Sequence, residues 1–214
     1  MRPGLPTLTL DQIQSALKPF GAELSDVQLR AIQKYISILL FWNQSISLTS
    51  IEEPLEIVSR HFGESIFAGT FLPLRSGRLA DVGTGAGFPG LALKIAFRGL
   101  SVVLLEPNLK KCAFLNEVKH VLDLQGVAIE RTRFEEYRAT EPLFDFVCCR
   151  ALGGHRGFLQ WARSAVKPTG RVALWLGSED SLLVERMKGW IWDVPVRIPE
   201  SRRRVILCGH LDQA

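Results

Sequence analysis

Asp81-Val82-Gly83-Thr84-Gly85-Ala86-Gly87-Phe88-Pro89-Gly90 decides how this chain is read. An apolar run, Leu79 to Val82, leads into it, and a helical stretch from Pro89 to Arg98 leads out, stopped by Gly99. Four glycines in eight residues directly after a strand describe a tight turn that takes positive φ and lets a ligand approach the backbone. Gly85-x-Gly87-x-x-Gly90 has the dinucleotide-binding spacing. Glu106 follows about twenty residues later, at the end of the next apolar run, where a ribose-binding acid belongs. One carboxylate can accept from both vicinal hydroxyls of a ribose, in charge-assisted bonds.

Working outward, strands and helices alternate. Ser101–Leu105 reads as a buried strand, and Asn108 caps a helix running to about Leu122. Val127–Glu130 and Phe144–Cys149 are the next strands. Phe158–Val166 is helical, Lys167 to Gly170 is a turn, Arg171–Leu176 is a strand and Ser181–Gly189 a helix. Val194–Ile198 and Arg203–Cys208 are two final strands, too close together for a helical crossover and therefore antiparallel. Such alternation predicts a doubly wound, mostly parallel sheet of seven strands with antiparallel terminal strands. Its ligands lie beyond the C-terminal strand ends, at 82–90, 106–108, 131–136 and 150–154.

Upstream of Arg78 the pattern is helical. Thr9 with Gln12, and Ser25 with Gln28, are capping boxes, and Gly21 ends the first helix. The second helix carries Leu29, Ile32, Ile36 and Leu39 on one stripe. Pro54 opens a third, with Leu55, Val58, Phe62 and Ile66 on one face. The expected organisation is a helical extension over 1–75, packed on a core over 76–214.

The chain has 214 residues, 47% hydrophobic and 22% charged, so it is globular rather than disordered. Its net charge of +4 permits a phosphate-rich partner without demanding one. Cys112, Cys148, Cys149 and Cys208 form no CxxC pair and have no histidine at ligand spacing, so no metal site is expected. The N-terminus has no apolar targeting segment, and the longest apolar run, Ile38 to Trp42, is too short for a bilayer. A cytoplasmic protein with reduced thiols and no membrane association follows.

The glycine loop and Glu106 fit NAD as well as S-adenosylmethionine. Three further features resemble class I, Rossmann-like methyltransferases. Asp81 sits two residues before the first glycine, where those enzymes carry an acid that supports the loop and the donor's amino-acid moiety. Phe144-Asp145-Phe146-Val147 followed by Arg150 resembles their fourth-strand motif. Val166-Lys167-Pro168-Thr169-Gly170 resembles their "LKPGG" turn, with Thr169 for the first glycine. A nicotinamide-dependent oxidoreductase is the alternative, and it calls for a Tyr-Lys or histidine constellation that Tyr35 and Tyr137 do not supply. A methyltransferase of another substrate, and an inactive RNA-binding relative, are further alternatives.

More closely, the chain resembles the bacterial RsmG (GidB) family. Trp42-Asn43…Leu48-Thr49 matches its "WN…NLT" segment, with Ser47 in place of Asn. Arg60-His61 matches its "RH" motif, Lys110-Lys111 with Phe114-Leu115 its "KR..FL" helix, Arg133-Phe134-Glu135-Glu136 its "R.EE" stretch, and Cys149-Arg150-Ala151 its "SRA". Gly63 and Glu64 depart from its Leu-Asp pair. The resemblance implies methylation of N7 of one guanine in the decoding-region loop of 16S ribosomal RNA, free or in the small subunit, by a monomer using S-adenosylmethionine. It implies donor contacts at Gly83, Phe88, Glu106, Phe134, Glu135 and Arg150. With the loop and the strand-end segment, the expected donor set becomes Asp81, Gly83, Gly85, Gly87, Phe88, Glu106, Pro107, Asn108, Phe134, Glu135 and Arg150. Arg60, His61, Lys110 and Lys111 are the expected substrate contacts.

Guanine N7 offers a lone pair and no hydrogen. Positioning then suffices, and no catalytic base is expected. Several of these residues also have plainer readings. His61 beside an apolar stripe can be a core histidine. Arg202-Arg203-Arg204 can be an RNA contact or, at least as well, a solvated turn guarding a sheet edge. Trp42, Trp161, Trp175, Trp190 and Trp192 read as core rather than as base-stacking platforms.

Overall fold

The computed structural model describes residues 8–139 and 143–212. The reading of the first seven residues as lacking a targeting segment lies outside this range. Helices α1 (Leu10–Leu17) and α2 (Asp26–Asn43) both begin with the capping boxes the sequence shows. A 3-10 turn, Lys18–Phe20, closes the first, and Gly21 takes the left-handed conformation after it.

Pro54 does open a helix, but not one continuous α-helix. α3 (Pro54–Ile57) passes into a π-helical turn, Val58–Gly63, and then α4 (Glu64–Ile66). Val58, Phe62 and Ile66 are buried as expected, whereas Leu55 near the start of α3 is exposed and Ile57 is fully buried. Arg60 and His61 both sit on this turn. Such turns occur often at functional sites.

The core follows as β1 (Ser76–Val82), α5 (Gly90–Ala96), β2 (Gly99–Leu105), α6 (Leu109–Val121), β3 (Val127–Glu130), β4 (Phe144–Arg150), α7 (His155–Ala165), β5 (Val166–Gly177), α8 (Ser178–Val184), β6 (Trp190–Trp192), β7 (Val196–Arg197) and β8 (Arg204–Leu211). Seven strands run in the order β3-β2-β1-β4-β5-β8-β6, and the two-residue β7 pairs beside them on β8. The first five are mutually parallel, while β6, β7 and β8 pair antiparallel. The order reverses between β1 and β4, which puts the switch-point crevice beyond Val82 and Arg150.

The sequence reading needs three local corrections. Lys167 to Gly170 does not stand outside the sheet; it belongs to β5 and bulges out where the register jumps from Phe144↔Val166 to Phe146↔Arg171. A Cβ on Gly170 would stand 2.6 Å from Val166 and 2.9 Å from two strand carbonyls, so only glycine brings the chain back into register. The last helix is Ser178–Val184 rather than Ser181–Gly189. The strand expected over 194–198 shrinks to Val196–Arg197, and Trp190–Trp192 takes the outer place on β8.

The sheet separates two apolar layers. On one face α1, α2, α5 and α6 pack together around Tyr35, Phe62, Phe88 and Phe114. On the other, α7 and α8 pack Phe158, Trp161 and Val184 against Ala80, Val82 and Leu105. Trp161, Trp175 and Trp190 are buried, as read. The N-terminal helices therefore join the core layer directly, and Gln28 of α2 donates from Nε2 to the carbonyls of Ile95 and Ala96 at the end of α5. Among the described residues no helix is long and apolar enough to cross a membrane.

Candidate functional site

The loop after β1 is held from below by Asp81, which is completely buried. Its Oδ2 accepts from Thr84 Oγ1 at 2.5 Å and from the Gly90 amide at 2.8 Å. Burial raises its pKa to about 6, while the bonds from Thr84 and Gly90 work against that rise. Asp81 thus ties both ends of the loop together and faces the loop rather than the crevice. Gly83, Gly85 and Gly87 all have positive φ. A Cβ on Gly85 would meet nothing closer than 3.9 Å, so the loop leaves open space at its tip. A Cβ on Gly90 would stand 2.6 Å from Leu104 and 2.8 Å from the Asp81 carboxylate, which forbids a side chain there.

Tyr35, which the sequence reading set aside, braces the loop from the other side. Its hydroxyl donates to the Ala86 carbonyl at 2.6 Å in a fully buried setting. Burial, with Asp81 nearby, raises its pKa well above the ordinary tyrosine value, so it remains a donor. Its position between Ile32 and Ile36 on the buried stripe was the available signal. Tyr35→Phe is expected to leave the Ala86 carbonyl unpaired and to cost about 1–3 kcal/mol. For a chain of this size that is a fall in Tm of roughly 2–12 °C. An unchanged Tm in thermal unfolding would show that the bond contributes nothing.

Glu106 is 5% exposed at the end of β2. Oε2 accepts from the Gly85 amide at 3.0 Å and Oε1 from the Asn108 amide at 2.9 Å. The carboxylate is therefore oriented by backbone, with further lone pairs to offer. Asn108 caps α6 through the Lys110 and Lys111 amides. Pro107 and Lys110 are exposed and Lys111 is half-buried. Phe134 packs edge-on to Phe158 and Trp161, and Glu135 is exposed beside it.

Phe88 faces away from the loop tip into an aromatic cluster with Tyr35 and Phe62. His61 stacks on it at 4.7 Å between ring centroids, and its Nε2 lies 2.8 Å from Thr49 Oγ1. His61 is thus both packed and placed against the loop. Burial, reinforced by Arg150 and Arg60, lowers its pKa from 6.5 to about 3.

Arg150, read as a donor contact, has one end of its guanidinium engaged on the N-terminal segment. Nη2 donates to the Arg60 carbonyl at 2.8 Å and to Glu64 at 3.3 Å. Glu64 is buried and also pairs with Arg60 at 3.1 Å and Arg204 at 2.6 Å. One carboxylate therefore collects three guanidinia. β8 runs antiparallel to β5, with Gly177 opposite Arg204, so this arginine arrives at the ligand edge of the sheet. Arg204 is no solvated turn residue, whereas Arg202 and Arg203 are exposed. Arg150 Nη1 is buried with no hydrogen-bond partner among the described residues. These residues border a cleft of about 650 Å³ lined also by Ala151, Gly154, His155 and Trp175. Burial raises the pKa of all four cysteine thiols, that of Cys208 to about 12. Among the described residues no cluster suits a metal ion.

The open loop tip and the backbone-oriented Glu106 fit an adenosine-bearing methyl donor. The fold agrees. A SAM-dependent methyltransferase from Aquifex aeolicus superposes with a TM-score of 0.62 at 16% identity, covering 75% of this chain and 94% of that one. The glycopeptide N-methyltransferase MtfA, whose structure holds S-adenosyl-L-homocysteine, superposes at 0.59 with 12% identity, covering 71% and 90%. At the level of sequence, residues 28–188 match the family model GidB, "rRNA small subunit methyltransferase G". The ribosomal RNA small subunit methyltransferase G of Syntrophus aciditrophicus is 34% identical over 199 residues, 91% of this chain and 83% of its own length. That of Yersinia enterocolitica is 34% identical over 205 residues, 92% and 98%. The chain belongs to the GidB family of rRNA small subunit methyltransferase G, and it is a methyltransferase that uses S-adenosylmethionine.

Proposed function

We propose that the protein methylates N7 of a guanine in the decoding-region loop of 16S ribosomal RNA. One observation carries the choice of acceptor: the titratable side chains that border the loop are already engaged. Asp81 holds Thr84 and Gly90, Glu106 holds Gly85 and Asn108, Glu64 holds three arginines, and His61 is kept neutral against Phe88. That arrangement suits an acceptor with no proton to lose.

When bound, S-adenosylmethionine supplies an electrophilic methyl group on a sulfonium. Glu106 holds the ribose hydroxyls and the glycine loop presents its backbone to the donor. Phe134, Glu135, Pro107 and Asn108 border the adenosine side, and Arg150 offers the unpartnered Nη1. The N-terminal segment, with Arg60 and His61 on its π turn, shapes the acceptor side. Lys110 and Lys111 contact phosphate. Cations in the first turn of a helix run against its dipole, typically by about 0.3–1 kcal/mol each, so their placement there fits a ligand role. Catalysis then rests on holding two atoms in line and excluding water.

The pH dependence tests this reading. Under single turnover with saturating donor and RNA, the methylation rate is expected to vary little between about pH 6.5 and 8.5, a window that spans the ordinary histidine range. A log-linear rise removed by one substitution would mean that the acceptor carries a proton. Stability behaves differently. The folded chain keeps His61 neutral where the unfolded chain protonates it. Its contribution is therefore complete above pH 6.5 and is lost as the pH falls towards 3. His61→Gln should flatten that acid limb in unfolding experiments.

A further inference from the structure

A second surface lies outside the donor site, on the face of the sheet opposite the N-terminal helices. α7 and the end of α8 enclose a groove of about 1050 Å³ whose exposed lining carries Arg156, Arg163, Arg186 and Lys188. No carboxylate lines it, and Leu159 and Trp190 form its buried floor. Among the described residues none of these four cations has an ion pair. With four cations and no acid among its lining residues, the groove is a locally positive surface.

The groove and the cleft lie next to each other at the start of α7, where His155 lines the cleft and Arg156, the next residue, lines the groove. From there the groove runs away from the ligand edge towards Trp190, which pairs with Leu211 at the far end of β8. Arg163 follows seven residues later on the same face of α7, about 10 Å further along the helix axis. Guanidinium forks match phosphate oxygens, and a row of them suits a chain of phosphates rather than a single anion.

We propose that this groove binds the phosphodiester backbone of the RNA substrate on the flank of the methylated nucleotide. The proposal rests on the RNA reading above. A second copy of the chain would bring like charge to the same face, which disfavours self-association there.

The test is a quadruple variant, Arg156→Gln, Arg163→Gln, Arg186→Gln and Lys188→Gln, beside a charge-keeping variant with lysine at the three arginine positions. Binding of a small-subunit rRNA fragment is measured against salt concentration. The glutamine variant should lose about two to four units of salt slope, at close to one unit per lost phosphate contact. The lysine variant should keep most of the slope. S-adenosylmethionine affinity should be unchanged in both, and methylation by the glutamine variant should show a raised KM for RNA with kcat preserved. A full slope in the glutamine variant, with a reduced slope in Lys110→Ala/Lys111→Ala, would overturn the groove assignment while leaving the RNA reading intact. Loss of self-association or of binding to anionic vesicles, with RNA affinity untouched, would also overturn it. Salt-insensitive RNA binding by the unaltered protein would instead remove the RNA reading beneath it.

Discussion

Glu106→Ala is expected to lower the affinity for S-adenosylmethionine by roughly ten- to a thousandfold. Each bond from a ribose hydroxyl to a carboxylate is worth about 1.5–3 kcal/mol, and about 1.4 kcal/mol is a factor of ten. Water entering the vacated space recovers part of that loss. The same substitution strips acceptors from the Gly85 and Asn108 amides, which loosens the loop as well. Glu106→Gln separates the two effects, because it keeps the side chain's shape and one acceptor oxygen while losing the charge. It should fall between wild type and alanine in calorimetric titration. Unchanged affinity in a folded alanine variant would place the donor pocket elsewhere.

Glu64→Leu is expected to be the most destabilising single change near the site. The carboxylate is 2% exposed and compensates Arg60, Arg150 and Arg204, whose side chains are 37%, 16% and 32% exposed. Breaking a buried ion pair from one side typically costs about 3–5 kcal/mol. Partial hydration of Arg60 and Arg204 puts this case near the lower end. The Tm should therefore fall by roughly 6–12 °C. Removing a guanidinium in the same background, as in Glu64→Leu/Arg204→Leu, should recover part of the loss, because fewer charges are left uncompensated. If Glu64→Leu alone leaves the Tm within about 1 °C of wild type, solvent rather than Glu64 neutralises the cluster.

The fold was legible because its signals are local. Capping boxes at Thr9 and Ser25, the Asn108 cap and the glycine loop each sit next to the element they define. The position of Glu106, buried at the end of β2 against the glycine loop, was legible for the same reason, as one turn and one strand end. What the sequence concealed depends on distant partners. The π turn at Val58–Gly63 has no residue signature of its own. Arg204 looked like part of a solvated arginine run, because nothing near it in the chain reveals that β8 returns antiparallel and delivers it to Glu64, far upstream. Tyr35 lay on a visible stripe, but its bond to Ala86 spans 51 residues. Arg150 carried the expected motif, but its bonds to Arg60 and Glu64 span 90 and 86 residues and left no local trace.

The most direct test of the account is the position of the transferred methyl group. The purified protein is incubated with S-adenosylmethionine carrying a labelled methyl group and with small-subunit ribosomal RNA, free or in assembled subunits, lacking this modification. The RNA is then cleaved chemically at N7-methylguanine, and the labelled nucleoside is identified by mass spectrometry. The account predicts label at a single guanine in the decoding-region loop, as N7-methylguanosine, abolished in Glu106→Ala at limiting donor. Label on an exocyclic amine, on a ribose hydroxyl or on another base would contradict it.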